Sequence, residues 1–152
     1  MAKPDMTAIL DSAVKMEEQS YALYTMAQGK VGYSSSNKLL KELAQEELKH
    51  KEKLLAVIQK GKVSKLGVQA KIQDLKIVDA MKDTALSEDA DYLGILVFAA
   101  KREKATYGYY NSLAKGLEST ETGKLFSKLA QEELTHKNRL EREYDDFLLK
   151  EN

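Results

Sequence analysis

Four stretches of the chain repeat apolar residues at three- and four-residue steps, the period of an α-helix that buries one side. The first runs from about Thr7 to Gln28 and aligns Leu10, Val14, Glu17, Tyr21 and Tyr24 on one face. Asp5 or Thr7 can cap its start, and Gly29 can end it in a left-handed turn. The second, from about Ser36 to Lys60, carries the seam Leu40, Leu43, Glu47, His50, Leu54, Val57, with Ser34, Ser35 or Ser36 as cap and Gly61 as stop. The third spans about Asp89 to Lys115, capped by Ser87 or Asp89, with the seam Leu93, Leu96, Ala100, Glu103, Tyr107, Tyr110. The fourth, from about Thr120 to Leu149, has Phe126, Leu129, Glu133, His136, Leu140 and Phe147 in phase. No period-two alternation marks a strand.

The connections order these helices. Gly29–Ser35 and Gly116–Ser119 are short, so each joins two antiparallel neighbours. Residues 62–88 form a long connection with weak helical periodicity around Ile72, Leu75 and Val78. It is long enough to run back along a bundle, so the third helix can start at either end. The expected fold is all-α: a four-helix bundle over residues 1–152, one domain, with a long crossover between the second and third helices.

Glutamates and histidines interrupt the apolar seams, and they do so twice over. Leu43-Ala44-Gln45-Glu46-Glu47-Leu48-Lys49-His50 returns as Leu129-Ala130-Gln131-Glu132-Glu133-Leu134-Thr135-His136, and these hold the only two histidines. Upstream, Lys15, Glu17, Tyr21 and Tyr24 correspond to Lys101, Glu103, Tyr107 and Tyr110 at the same offset, so a two-helix unit is used twice. Glu47 and Glu133 lie on the seam, whereas Glu46 and Glu132 fall off it and read as solvated. On the first helix Glu18 is the rival of Glu17, but its counterpart is Lys104, which favours Glu17.

Four carboxylates facing one another in an apolar core are untenable unless cations compensate. No lysine or arginine falls on these seams at the same level. Two divalent metals would balance four carboxylates. The two side chains of Glu-x-x-His sit one turn apart on one face and can reach one ion. Glu47 and Glu133 would bridge, Glu17 with His50 and Glu103 with His136 completing the ends. Carboxylates and imidazole without thiolate suit iron or manganese, with zinc as substitute. Tyr24 and Tyr110, two turns after Glu17 and Glu103, are placed to hydrogen-bond a ligand carboxylate or donate an electron; Tyr21 and Tyr107 read as packing.

Composition narrows the function further. Absence of cysteine excludes disulfides, thiol catalysis and cysteine-based metal sites. Acidic and basic residues balance at 24 each, with no basic block for nucleic acid. No apolar segment approaches bilayer length and no signal peptide opens the chain, so a cytoplasmic protein is expected.

One glutamate from each of two helices plus Glu-x-x-His from each of the other two resembles the ferritin-like superfamily, and within it the rubrerythrin di-iron domain. The resemblance spans nearly the whole chain and rests on Glu17, Glu47, His50, Glu103, Glu133 and His136. It implies a di-iron oxidoreductase that reduces hydrogen peroxide or dioxygen with electrons from an external donor such as a rubredoxin-type protein, working as a homodimer. The alternative it implies is a ferroxidase or iron store without a reductive cycle. Departures are visible. Rubrerythrins typically carry a cysteine-bearing rubredoxin domain and an extra glutamate at the position of Thr106, and bacterioferritins place a haem-binding methionine where Leu48 stands.

Overall fold

The computed structural model describes residues 6–60 and 90–151. They form four helices and no strand: α1 (Met6–Gln28), α2 (Ser34–Gln59), α3 (Tyr92–Gly116) and α4 (Glu121–Glu151). All lie within two residues of the expected bounds, except that α3 begins three residues later. Its cap is Asp91, whose Oδ1 accepts the Gly94 N–H at 2.8 Å. Ser87 and Asp89, the expected caps, lie outside the described residues, as do Asp5, Gly61 and the connection 62–88.

Two other turns differ from expectation. None of Ser34–Ser36 caps α2. Tyr33 holds the N-cap position without a side-chain bond, and the Asn37 side chain donates to the carbonyls of Val31 and Tyr33 at 2.9 and 3.2 Å. At the end of α1, Gly29 is not left-handed. Its N–H reaches the Met26 carbonyl and that of Lys30 the Ala27 carbonyl, so the helix tightens into a final turn that needs no positive φ.

The core has two apolar clusters. One joins Met6, Ile9, Leu10, Ala13 and Met16 of α1 to Leu54 of α2, Leu113 of α3 and Phe126 and Leu129 of α4. The other joins Tyr24 and Ala27 of α1 to Leu40 and Leu43 of α2, Tyr92, Ile95 and Leu96 of α3 and Leu140 of α4. The start of α1 therefore shares an end of the bundle with the close of α2, the close of α3 and the start of α4. This resolves what the pattern left open: α3 starts at the end where α1 finishes. Gln59 and Ala90 stand at opposite ends, and the residues between them span roughly 100 Å when extended, well over the ~38 Å of a 25-residue helix.

The turn before α4 is tight. Ser119 takes φ 70°, the Thr120 hydroxyl donates to the Leu117 carbonyl, and the Gly123 N–H returns to the Thr120 hydroxyl. A Cβ on Gly123 would lie 2.1 Å from the Leu117 carbonyl oxygen, where only backbone movement can make room. Gly123→Ala is expected to destabilise the fold by about 1–3 kcal/mol, read as a lower Tm in calorimetry. Gly108→Ala, where an added Cβ meets nothing, should leave Tm unchanged or raise it.

Candidate metal centre

Halfway between the two apolar clusters the seams turn polar. Glu17 of α1, Glu47 and His50 of α2, Glu103 of α3, and Glu133 and His136 of α4 are all buried, none more than 2% exposed. The helical period that packs leucines above and below forces these side chains inward. They fall into two groups, Glu17–Glu47–His50–Glu133 and Glu47–Glu103–Glu133–His136, within each of which one ligand atom per residue lies within 4.8 Å of the others. Glu47 and Glu133 belong to both. The two imidazoles stack 5.7 Å apart, ring centre to ring centre.

Both histidines present Nδ1 to the centre. His50 Nδ1 lies 2.8 Å from Glu133, 3.3 Å from Glu47 and 3.5 Å from Glu17. His136 Nδ1 lies 3.2 Å from Glu47, 3.7 Å from Glu103 and 3.8 Å from Glu133. Yet oxygens of all four glutamates and both Nδ1 atoms are buried without a well-formed hydrogen bond. Unpaired buried polar atoms cost free energy and are rare singly, so a convergent cluster of them needs a partner that protein donors do not supply.

Burial and mutual charge act on these groups in opposite directions. Burial, reinforced by the charge of Glu47, raises the Glu17 carboxyl to about 7, and burial with the charges of Glu103 and Glu47 raises Glu133 well above the usual range. Burial also works against ionisation of Glu47, but the close approach of the His136 and His50 rings overcomes it and holds this carboxyl low. Burial opposes charge on the histidines too, yet their carboxylate neighbours push His50 up to about 10 and His136 up to about 12.

Two tyrosines reach across the bundle into this centre. The Tyr24 hydroxyl donates to Glu103 Oε1 at 2.5 Å and that of Tyr110 to Glu17 Oε1 at 2.6 Å. Each thus binds the glutamate of the other repeat, because α1 and α3 run antiparallel. Burial raises both phenols well above their ordinary value, so they stay protonated donors. Tyr21 and Tyr107 are only half-buried. Tyr110→Phe is expected to weaken metal affinity about tenfold in competition with a chromophoric chelator, and Tyr107→Phe to leave it unchanged.

One expectation from the sequence needs correction. Glu46 and Glu132 are not simply solvated. Glu46 of α2 lies 3.2 Å from His136 Nε2 on α4, and Glu132 of α4 lies 3.2 Å from His50 Nε2 on α2. This reciprocal clamp holds a proton on Nε2 and turns Nδ1 inward, where a metal ion would displace its proton. The clue was present in the doubled Glu-Glu step of both repeats, but one-helix phase cannot show a contact between helices. The hydrogen bond from His136 also lowers the Glu46 carboxyl, against the effect of its partial burial. Among the described residues no lysine or arginine lies on the seams at this level, as expected, but a buried arginine lies beside them. Arg102, 8% exposed, donates to the Met16 carbonyl and the Ser20 hydroxyl, both at 3.2 Å. Thr106 is buried, its hydroxyl donating to the Arg102 carbonyl.

The donor set fits a pair of divalent ions. It offers two groups with two shared carboxylates and one imidazole each, inward oxygens and nitrogens left unpaired, and no thiolate. Fold and centre together define the class of carboxylate-bridged, ferritin-like four-helix bundles with a buried site suited to two metals. Residues 8–144 match the Rubrerythrin family, and the chain belongs to it. Searches of curated proteins and of solved structures found no significant match. Among the described residues no helix is long and apolar enough to cross a membrane.

Proposed function

We propose that Glu17, Glu47, His50, Glu103, Glu133 and His136 hold two iron ions, and that the protein is a di-iron oxidoreductase reducing hydrogen peroxide or dioxygen. The observation that carries this reading is the sharing of Glu47 and Glu133 between two otherwise separate groups, each completed by its own glutamate and histidine. When bound, the paired ferrous ions supply two electrons, which with two protons take hydrogen peroxide to two waters.

The chain's own residues set the conditions for that chemistry. Glu132 and Glu46 fix the histidine tautomers and ring planes. Tyr110 and Tyr24 fix Glu17 and Glu103 through one oxygen each, leaving the other for the metal. The apolar clusters above and below keep bulk water from the centre. Thr106 stands where an additional carboxylate would otherwise move between oxidation states, so this centre works with a fixed set of six. In this reading the electrons come from an external donor, such as a rubredoxin-type protein, and the working assembly is a homodimer.

The test is anaerobic loading with ferrous iron followed by hydrogen peroxide, with and without a reductant. Repeated peroxide consumption on supplying electrons supports the oxidoreductase. A single stoichiometric oxidation that no donor can reverse would instead support an iron-handling ferroxidase, as would a many-subunit cage in size-exclusion chromatography.

A further inference from the structure

The metal centre is not covered equally on all sides. At its two ends lie the apolar clusters, and between α1 and α3 lie the buried Tyr24, Tyr110, Arg102 and Thr106. Between α2 and α4 the cover is thinnest. There the partly exposed Glu46 bonds directly to His136 Nε2, and the other nitrogen of the same ring belongs to the metal group. One carboxylate and one imidazole therefore separate solvent from the centre.

A groove of about 500 Å³ opens onto this bridge, lined by Lys38, Lys41, Glu42, Gln45, Glu46, Lys49 and Arg139. Arg139 spans the floor, donating to Glu46 at 3.2 Å and to Glu42 at 2.5 Å, which neutralises much of the negative charge there. Lys38, Lys41 and Lys49 are exposed and make no ion pair among the described residues. The 86-residue repeat carries the cationic character onto the adjoining side, where Lys124, Lys128 and Lys53 occupy the positions equivalent to Lys38, Glu42 and Arg139, around Glu132 and its bond to His50. A chain with equal acidic and basic totals has thus gathered lysines over the hydrogen-bonded Glu46–His136 bridge to its metal centre.

We propose that this groove between α2 and α4 is the docking face for the electron donor, and that the donor is a one-electron redox protein with an acidic contact surface. The proposal rests on the oxidoreductase reading above. Two encounters deliver the two electrons that each peroxide consumes. The lysine rim steers the anionic partner, and a rim of this kind acts chiefly on association rate and its salt dependence. Glu46 and His136 then lie between the docked donor and the metals.

The test compares Lys38→Glu/Lys41→Glu/Lys49→Glu with Lys15→Glu/Lys101→Glu/Lys104→Glu, which changes net charge equally at other exposed positions. The iron-loaded, oxidised protein is mixed with an acidic reduced rubredoxin as probe, and separately with a neutral hydroquinone. Calorimetric titration with oxidised rubredoxin measures binding. The groove variant should be reduced by rubredoxin about tenfold more slowly at low salt, bind it correspondingly more weakly, and lose most of the salt dependence. Its reduction by hydroquinone should match the parent protein, and the control variant should stay within about twofold of the parent. Equal effects from both variants, or none from the groove variant, overturn the docking face. If hydroquinone and rubredoxin both fail to reduce the parent protein, the oxidoreductase reading falls, and the binding titration alone decides whether the groove receives an acidic protein.

Discussion

Glu47→Gln is expected to cost the protein both metal ions, whereas Glu17→Gln is expected to cost it one. Glu47 stands in both groups, and its Oε1 lies 3.3 Å from His50 Nδ1 and 3.2 Å from His136 Nδ1. Glu17 stands in one group only. The amide keeps the shape of the side chain but removes the negative charge and one of two acceptor oxygens, so a shared position loses coordination at two ions together. Elemental analysis after loading and desalting should return two ions per chain for the parent protein, one for Glu17→Gln and none for Glu47→Gln. The thermal readout follows by linkage. Metal at a thousand times its dissociation constant stabilises the fold by about 4 kcal/mol, so the parent should gain Tm on loading and Glu47→Gln should not. A Glu47→Gln protein that still carries two ions would show that this carboxylate does not bridge.

The same substitution separates stability from metal binding. In the metal-free protein Glu47 is the ionised carboxylate between two charged histidines. Removing one partner of a buried ion pair strands the other, at a cost of about 3–5 kcal/mol. Metal-free Glu47→Gln should therefore melt well below the metal-free parent. Glu18→Gln, which removes only a surface contact with Lys51, should change Tm little.

Much of this architecture could be read from one helical period. The seams on α2 and α4 named the buried faces correctly, because those helices are strongly polar elsewhere and each has a single apolar stripe. On α1 and α3 the stripe is broader, and Met16, Ser20, Arg102, Thr106 and Tyr109 are buried outside the expected seam. Helices in which small and apolar residues are spread around the circumference do not declare their inner face by phase alone. The convergence of the six polar residues was legible because a duplicated pattern placed each at the same height.

What escaped the sequence was everything that depends on two helices at once. Glu46 and Glu132 bond to histidines on the opposite helix, and Tyr24 and Tyr110 bond to the glutamate of the other repeat. Arg102 replaces Met16 of the first repeat, and its guanidinium spans to α1. The caps differ from the sequence expectation for a related reason. Several serines or aspartates near a helix start are equivalent by residue type, and only the path of the entering chain selects Asp91 or passes over Ser34–Ser36.

Metal binding should displace protons from this centre. At neutral pH, with His50 raised to about 10 and His136 to about 12, both imidazoles carry a proton that metal must displace. Glu133, raised well above the usual range, keeps its proton, and Glu17, at about 7, is close to half protonated. Binding two ions at pH 7 should therefore release between about three and four protons, measured by calorimetry in buffers of different ionisation enthalpy. The direction of the stability change follows from the same shifts. A histidine whose folded value exceeds its ordinary 6.5 stabilises the fold fully below that pH and loses this contribution as pH rises through 10 and 12. Glu17 acts in the same sense, favouring the fold when protonated and losing that contribution as pH rises from 4.5 through about 7. Metal-free protein should thus lose Tm between pH 6 and pH 10. The loaded protein gains affinity over that range because fewer protons compete for the ligands, so the gap in Tm between the two forms widens with pH. Metal uptake without proton release, or a metal-free protein more stable at pH 10 than at pH 6, would show that the six side chains do not share a single buried electrostatic centre.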